Sequence, residues 1–317
     1  MIVGDVFMKK KIFTILLSAL ILCLCVPIFT ACKENPNFSS GLEYELINNN
    51  TEYQVKGLGT CTDTKIIIPS IHNNIPVTSI KNSAFAECNT LTNVIIPNSV
   101  TNIGFRAFYY CDSLKSIIIP NSVTSIGASA FESCNSLNFN IKDGLKYLGN
   151  SENKYLYLAD TVSTNITSAT IDSGCRFIGD YAFSWCDSLT NVMISNNVLS
   201  IGKNAFEYCN SLESIELPNS ITSIGYYAFA YCNLKSVTIS ENVTSLASKL
   251  FYYCTSLTSV TIGNKVTNIG YEAFRGCYSL NSIKYRGAQS QWSKINKDSS
   301  WDLDAGSYEI TYNYLAG

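Results

Sequence analysis

The side chains that could carry chemistry are few. Histidine occurs once, as His72 in the turn "SIHNNIPV", and no Ser–His–Asp or Cys–His arrangement is evident around it. A solvated turn residue is the simpler reading. "GLGT" at Gly57 is too short for a phosphate loop, and neither GxGxxG nor GxxxxGKS occurs. The carboxylates Glu87, Glu132, Glu207 and Glu216 are scattered, with no acid pair among them. No catalytic residue, cofactor site or metal site is expected, and the chain does not read as an enzyme. Cysteine is the one reactive type in quantity. Beyond Cys32 it stands at 61, 88, 111, 134, 175, 186, 209, 232, 254 and 277. An exported chain with this many thiols could form disulfides. A metal array would need CxxC pairs or His partners, which are missing. A small apolar group packed in a core is the third possibility, and the spacing favours it.

Eight of these thiols follow a Phe by three residues, in "AFxxC" or a close variant. The rings are Phe85, Phe108, Phe131, Phe183, Phe206, Phe229, Phe251 and Phe274. Most steps between them are 23 residues; the step to Phe251 is 22, and the step from Phe131 to Phe183 is 52. A period in the twenties is the mark of a leucine-rich solenoid. In "LKSIIIPNS", Leu114, Ile117 and Ile119 have the spacing that opens such a coil with a strand, which Pro120 and Asn121 end in a turn. Gly127 is expected to supply a backbone angle that other residues resist. Ile103, Ala107 and Cys111 are four apart, with Phe108 beside them, which predicts one turn of short helix facing inward. No single coil can bury that apolar inside, so coils must stack. Ten coils at about 5 Å each give a rod of about 50 Å.

The recurring words "IPNSVTNIGFRAFYYC" (96–111) and "IPNSVTSIGASAFESC" (119–134) resemble the BspA-type leucine-rich repeat of bacterial surface proteins, over residues 63–283. "GLEYELINNNTEYQVKGLG" is similar to the hairpin that precedes such arrays, with its turn at Asn48–Asn50. "YRGAQSQWSKINKDSSW" is similar to the module that follows them, and "GLKYLGNSENKYLYL" to an insert found within them. The resemblance implies an α/β solenoid, a right-handed coil with an N-terminal hairpin cap over 42–62 and a C-terminal capping module over 284–317. The insert, about 138–170, reads as an irregular extra coil or two. Trp292 and Trp301 are expected to close the last coil; the other reading makes them a sugar platform, and glycan capture fails if both rings are buried. Proteins of this type are associated with adhesion to host matrix proteins and to other cells.

Composition agrees with an exported domain. The net charge of −2 gives no electrostatic footprint for nucleic acid. Hydrophobic content of 46% is ample for a core, while only 15% charge leaves Asn, Ser and Thr to solvate the surface. Lys9–Lys11, an apolar run and "FTAC" before the polar stretch after Cys32 read as a lipoprotein signal over 1–31, with Cys32 as lipid attachment and 32–41 as tether. Phe29 departs from the usual Leu of a lipobox. An uncleaved membrane helix and ordinary cleavage are the alternatives, and all three export the domain. The expected location is the cell surface, lipid-anchored to the bacterial envelope.

Function must then lie on exposed positions. The middle residues of the VxI strands, Ile67, Ile95, Ile118, Thr170, Met193, Glu216, Thr238 and Thr261, are expected to point outward. Three Ile in neighbouring coils would make an apolar contact stripe, unless a cap or the insert covers them. A second series precedes each Cys: Glu87, Tyr110, Ser133, Trp185, Tyr208, Tyr231, Tyr253 and Gly276. Its aromatics suit recognition of an extracellular protein or glycan, or they pack as wall against the buried Ala. Asn89, Asp112, Asn135, Asp187, Asn210 and Asn233, each following a Cys, are expected to bond to backbone.

Overall fold

A computed structural model describes residues 38–315. The leader, most of the tether and Cys32 lie outside the described residues. The described residues from Ser39 onward form one compact unit of about 11 turns of solenoid.

Most coils give one short strand to each of two parallel ladders and close through a tight turn; residues 213–217 form no strand and interrupt the first ladder. In the first ladder Lys65–Ile67, Asn93–Ile95 and Ser116–Ile118 pair in register, Ile66 beside Val94 beside Ile117. Ser168–Thr170 pairs with Asn191–Met193 further on, and Ser236–Thr238, Ser259–Ile262, Ser282–Tyr285 and Glu309–Thr311 form the last group. The second ladder runs through the "TxIG" segments, such as Asn102–Ile103 with Ser125–Ile126. The alternate residues Val94, Ile96, Ile117 and Ile119 point inward and are buried, as the period of two requires.

The expected helical turn is absent. Residues 104–111 form turns, because Arg106 (φ 53°) and Tyr110 (φ 55°) are left-handed, and the same two places are left-handed in nearly every coil. A left-handed residue costs about 1–2 kcal/mol. Its return is that the turn's N–H groups aim at the next coil instead of four residues back. Phe85 N–H donates to the Ala107 carbonyl at 2.8 Å and Phe108 N–H to that of Ala130 at 2.8 Å. Inter-coil bonds thus replace helical ones, and the array is built from strands and turns. One short helix, Gln289–Trp292, occurs among the described residues.

Gly127 also differs from expectation. Its φ is not positive; a Cβ there would lie 2.4 Å from the Phe105 nitrogen, so the residue is demanded by close approach of coils. Gly202 and Gly225 are crowded in the same way.

Inside, Phe rings stack in two columns. Phe85, Phe108 and Phe131 have centroids 5.2 and 5.8 Å apart; Phe183, Phe206, Phe229, Phe251 and Phe274 follow at 5.0 to 5.7 Å. The ten Cys of this unit are free thiols, nine of them buried and Cys88 half-buried. They do more than fill space. Cys111, Cys134, Cys209, Cys232, Cys254 and Cys277 each donate to the carbonyl of the Phe one coil earlier, at 2.9 to 3.2 Å. Burial pushes the Cys254 and Cys175 thiols up to about 12 and Cys88 to about 11.

Two places depart from the regular stack. Glu43–Ile47 and Glu52–Gly57 form an antiparallel hairpin whose second strand pairs in parallel with Ile75–Ile80. Between Phe131 and Phe183, Asn140–Lys142, Leu145–Leu148 and Tyr157–Thr161 pair antiparallel in sequence, and only the last rejoins the parallel ladder, at Phe177–Ile178. Buried residues accordingly form two clusters that meet at this seam.

Candidate interaction surfaces

The sheet face carries the Ile series only in part. Ile95 and Ile118 are neighbours in register, and each is 40% exposed. Ile67 is half-buried: its carbonyl accepts from Ser39 N–H at 3.1 Å, and its own N–H donates to the Ser39 hydroxyl at 3.1 Å. Thr170, Glu216 and Thr238 are exposed, but Thr261 is buried, against expectation, within the four-strand group that Glu309–Thr311 completes. Met193 is 59% exposed and stands on a separate two-strand ladder with Thr170, so the structure does not join it to the Ile pair.

The turn face carries the aromatic series. Trp185, Tyr208, Tyr231 and Tyr253 form one continuous stack, with centroids 3.9, 4.4 and 5.8 Å apart. Every residue of the series is left-handed, from Glu87 (φ 61°) to Gly276 (φ 73°). The reversed backbone throws the side chain outward, where it meets the ring of the next coil. Tyr208, Tyr231 and Tyr253 are half-buried by this stacking. Trp185, at the open end, is 57% exposed; with one face covered by Tyr208, its other face must be the free one. Tyr110 is 45% exposed and packs edge-on against Tyr109 at 4.5 Å; it lies apart from the column, because Ser133 brings no ring at the seam. Four of the six Asn and Asp beside the column bond to one another along the stack rather than to backbone, Asn135 donating to Asp112 at 2.8 Å and Asn210 to Asp187 at 2.9 Å, and Asn233 accepts from the Ser256 hydroxyl at 2.7 Å. The sugar-platform reading of Trp292 and Trp301 is overturned. Both are buried, and Trp301 packs edge-on against Phe274. His72 lies in a short strand, stacked on Tyr44 at 3.9 Å.

Charge gathers at the seam, which sequence reasoning did not single out. Lys203 reaches across it to Glu132 at 3.0 Å and to the Ser129 hydroxyl at 3.3 Å, with Tyr181 beneath its ammonium. Burial alone would lower the Lys203 pKa; the Tyr181 and Glu132 oxygens outweigh it and hold it raised. Asp180 accepts from the N–H groups of Ser129 and Lys203. Burial still raises its carboxyl above the usual range. The 52-residue step and the insert segment "GLKYLGNSENKYLYL" were the signals in the sequence that a joint here had to be different.

A parallel stack of 20-odd-residue coils, with apolar ladders inside and free faces outside, defines a leucine-rich solenoid. The family model for the BspA type leucine rich repeat region, in 6 copies, matches residues 78–181 and 176–299. The chain belongs to that family. Among solved structures it is similar to a leucine rich cell surface protein of Faecalibacterium prausnitzii, with 24% identity over 82% of this chain and 97% of that one, at a TM-score of 0.36. A leucine-rich repeat protein of Eubacterium ventriosum matches at 18% identity over 89% and 95%, with a TM-score of 0.47. The pneumococcal vaccine antigen PcpA matches at 18% over 84% and 82%, with a TM-score of 0.44. No curated protein matches the chain. Among the described residues, no helix is long and apolar enough to cross a membrane.

Proposed function

We propose that this is an exported surface protein, held to the bacterial envelope by a lipid on Cys32, that serves as an adhesin or protein-interaction module toward extracellular proteins on host or other cells. One observation carries the reading. Ile95 and Ile118 stand side by side on an open sheet face, each 40% exposed, and adjoining exposed apolar side chains mark contact surfaces. The family and the cell-surface relative in Faecalibacterium prausnitzii support the location. The exposed ring of Trp185 favours a second contact area on the turn face.

The test replaces Ile95→Ser and Ile118→Ser together and measures adherence to immobilised matrix proteins and to whole cells. Adherence should fall at least about tenfold, the loss of two half-buried Ile contacts, with circular dichroism unchanged. Wild-type adherence would remove the stripe as contact surface. For the anchor, Cys32→Ala should release the protein into the medium; retention would argue for a membrane helix.

A further inference from the structure

The turn at Phe131 lacks the partner that every other turn of this array possesses. At the seven other Phe turns, the N–H of the Phe and the N–H two residues later donate forward, to two carbonyls of the following coil. Phe108 and Tyr110 use those of Ala130 and Glu132; Phe183 and Trp185 use those of Ala205 and Glu207. At six of these joints the two accepting carbonyls flank the next Phe, whose ring stacks on the donor's ring. After Phe131 there is no such turn. Ser129 N–H is met by the Asp180 carboxylate, but among the described residues the N–H groups of Phe131 and Ser133 have no protein acceptor. A cleft of about 440 Å³ opens over them. Its floor is Phe131, Cys134 and Leu137, the least buried members of their ladders apart from Cys88; Phe131 is 9% exposed where the other seven Phe are 0%. Its rim includes Glu132, Asp160 and Tyr181.

We propose that this cleft binds a peptide segment of a partner protein, centred on an aromatic residue, as the missing rung of the stack. Carbonyls on either side of the aromatic residue accept from Phe131 and Ser133, and its ring lies on the apolar floor of Cys134, Leu137 and the exposed part of Phe131, beside the Tyr157 ring that already meets Phe131 edge-on at 5.2 Å. This is strand addition carried over to a turn ladder, with main-chain bonds giving affinity and a ring pocket giving selectivity. The volume lies within the range of ligand pockets. Charge separates this occupant from an anion, which two convergent N–H groups could otherwise attract. Three carboxylates, Glu132, Asp160 and Asp180, line the cleft, and the two ammonium groups beside it are already paired, Lys203 with Glu132 and Lys146 with Asp160, so no cation there is free to hold a carboxylate or phosphate and a neutral amide fits. The site is separate from the Ile95 and Ile118 face, and its failure would leave that reading untouched.

The probe is acetyl-Ser-Ala-Phe-Lys-Tyr-amide, added to the full chain, with hydrogen exchange read at individual amides. In the free protein, Phe131 and Ser133 N–H should exchange at least about tenfold faster than Phe108 and Tyr110 N–H, being outside any protein hydrogen bond. The peptide should protect those two amides first. A control with Gly in place of Phe should bind about 10- to 100-fold more weakly, the share of one buried ring. Ala159→Trp, which fills the cleft from its far wall, should abolish binding while leaving the exchange of Phe206 and Tyr208 unchanged. No binding at millimolar peptide, binding without protection of Phe131 and Ser133, or protection by acetate in place of peptide would each overturn the proposal.

Discussion

The joint after Phe183 and the joint after Phe131 fasten the same kind of turn to the next segment of chain, by different means. At the first, Tyr181, Phe183 and Trp185 donate to Lys203, Ala205 and Glu207 at 2.7 to 2.9 Å, and the Phe rings stack at 5.0 Å. At the second, one side chain, Asp180, stands in for the first of the three carbonyls and the other two have no substitute among the described residues, while Tyr157 meets Phe131 edge-on at 5.2 Å. A repeat array needs every turn to be answered by its neighbour. Where the neighbour is a hairpin insert instead, charged side chains hold the two halves and part of the turn is left open.

The comparison can be broken most directly by removing rings. Phe206→Ala deletes a ring stacked on both sides, and about 3–5 kcal/mol of stability should go with it. Phe131→Ala deletes a ring stacked on Phe108 and met edge-on by Tyr157, at a wall that is already open. Its cost should fall at the low end of that range, because the space it leaves opens on the cleft. Urea midpoints of the two variants decide the matter; equal losses would mean that the seam is packed as tightly as the array.

The seam's own fastening comes next in size. Asp180→Ala takes the acceptor from Ser129 and Lys203 N–H, and each buried donor left unmet costs about 1–3 kcal/mol. Asp180→Asn keeps an acceptor and should recover part of the loss. Proteolysis between residues 138 and 170 should quicken in the Ala variant, since local opening at the seam falls before the array unfolds.

Much of this contrast was legible in the sequence, and the illegible part has a physical reason. The period, the inward Phe and Cys, the strand before each Pro and the odd step of 52 residues follow from spacing alone, because side-chain burial leaves a periodic trace. The helical turn was misread for the same reason. Ile103, Ala107 and Cys111 keep helical spacing, yet the left-handed Arg106 and Tyr110 break the helix, and ordinary side chains at both places give no hint. Only Gly276 at the column position hinted at positive φ. Thr261 and Ile67 were expected outside because alternation says which face a residue takes, not what a distant segment lays over it. The free face of Trp185 and the open amides at Phe131 depend on a missing neighbour, which spacing could place but not describe.

Alkaline pH sharpens the comparison from the array's side. A thiol raised to about 12 when folded, such as Cys254 or Cys175, titrates near 8.5 when unfolded. Below that lower value both states hold the proton and the thiol's contribution is complete. Above it the unfolded chain loses the proton first, so stability falls as pH rises toward 12, by about 1.4 kcal/mol per unit for each such thiol. Thermal melts from pH 8 to 11 should show the decline. Cys254→Ala should flatten it by about one thiol's share, whereas Cys88→Ala, at the half-buried end, should flatten it less.

The smallest expected effect concerns the open end of the aromatic column. Trp185 is stacked only on Tyr208, and its outer face meets no ring. Trp185→Ala should therefore cost about 0.5–1.5 kcal/mol, the worth of one aromatic pair. Tyr231→Ala, which leaves Tyr208 and Tyr253 each without a stacked face, should cost roughly twice as much. If Trp185 serves a partner, its removal should weaken adherence more than that of Tyr231, the reverse of the stability order. Recognition would use the free face, and stability uses the covered ones. Matching orders in both measurements would assign the whole column to wall packing.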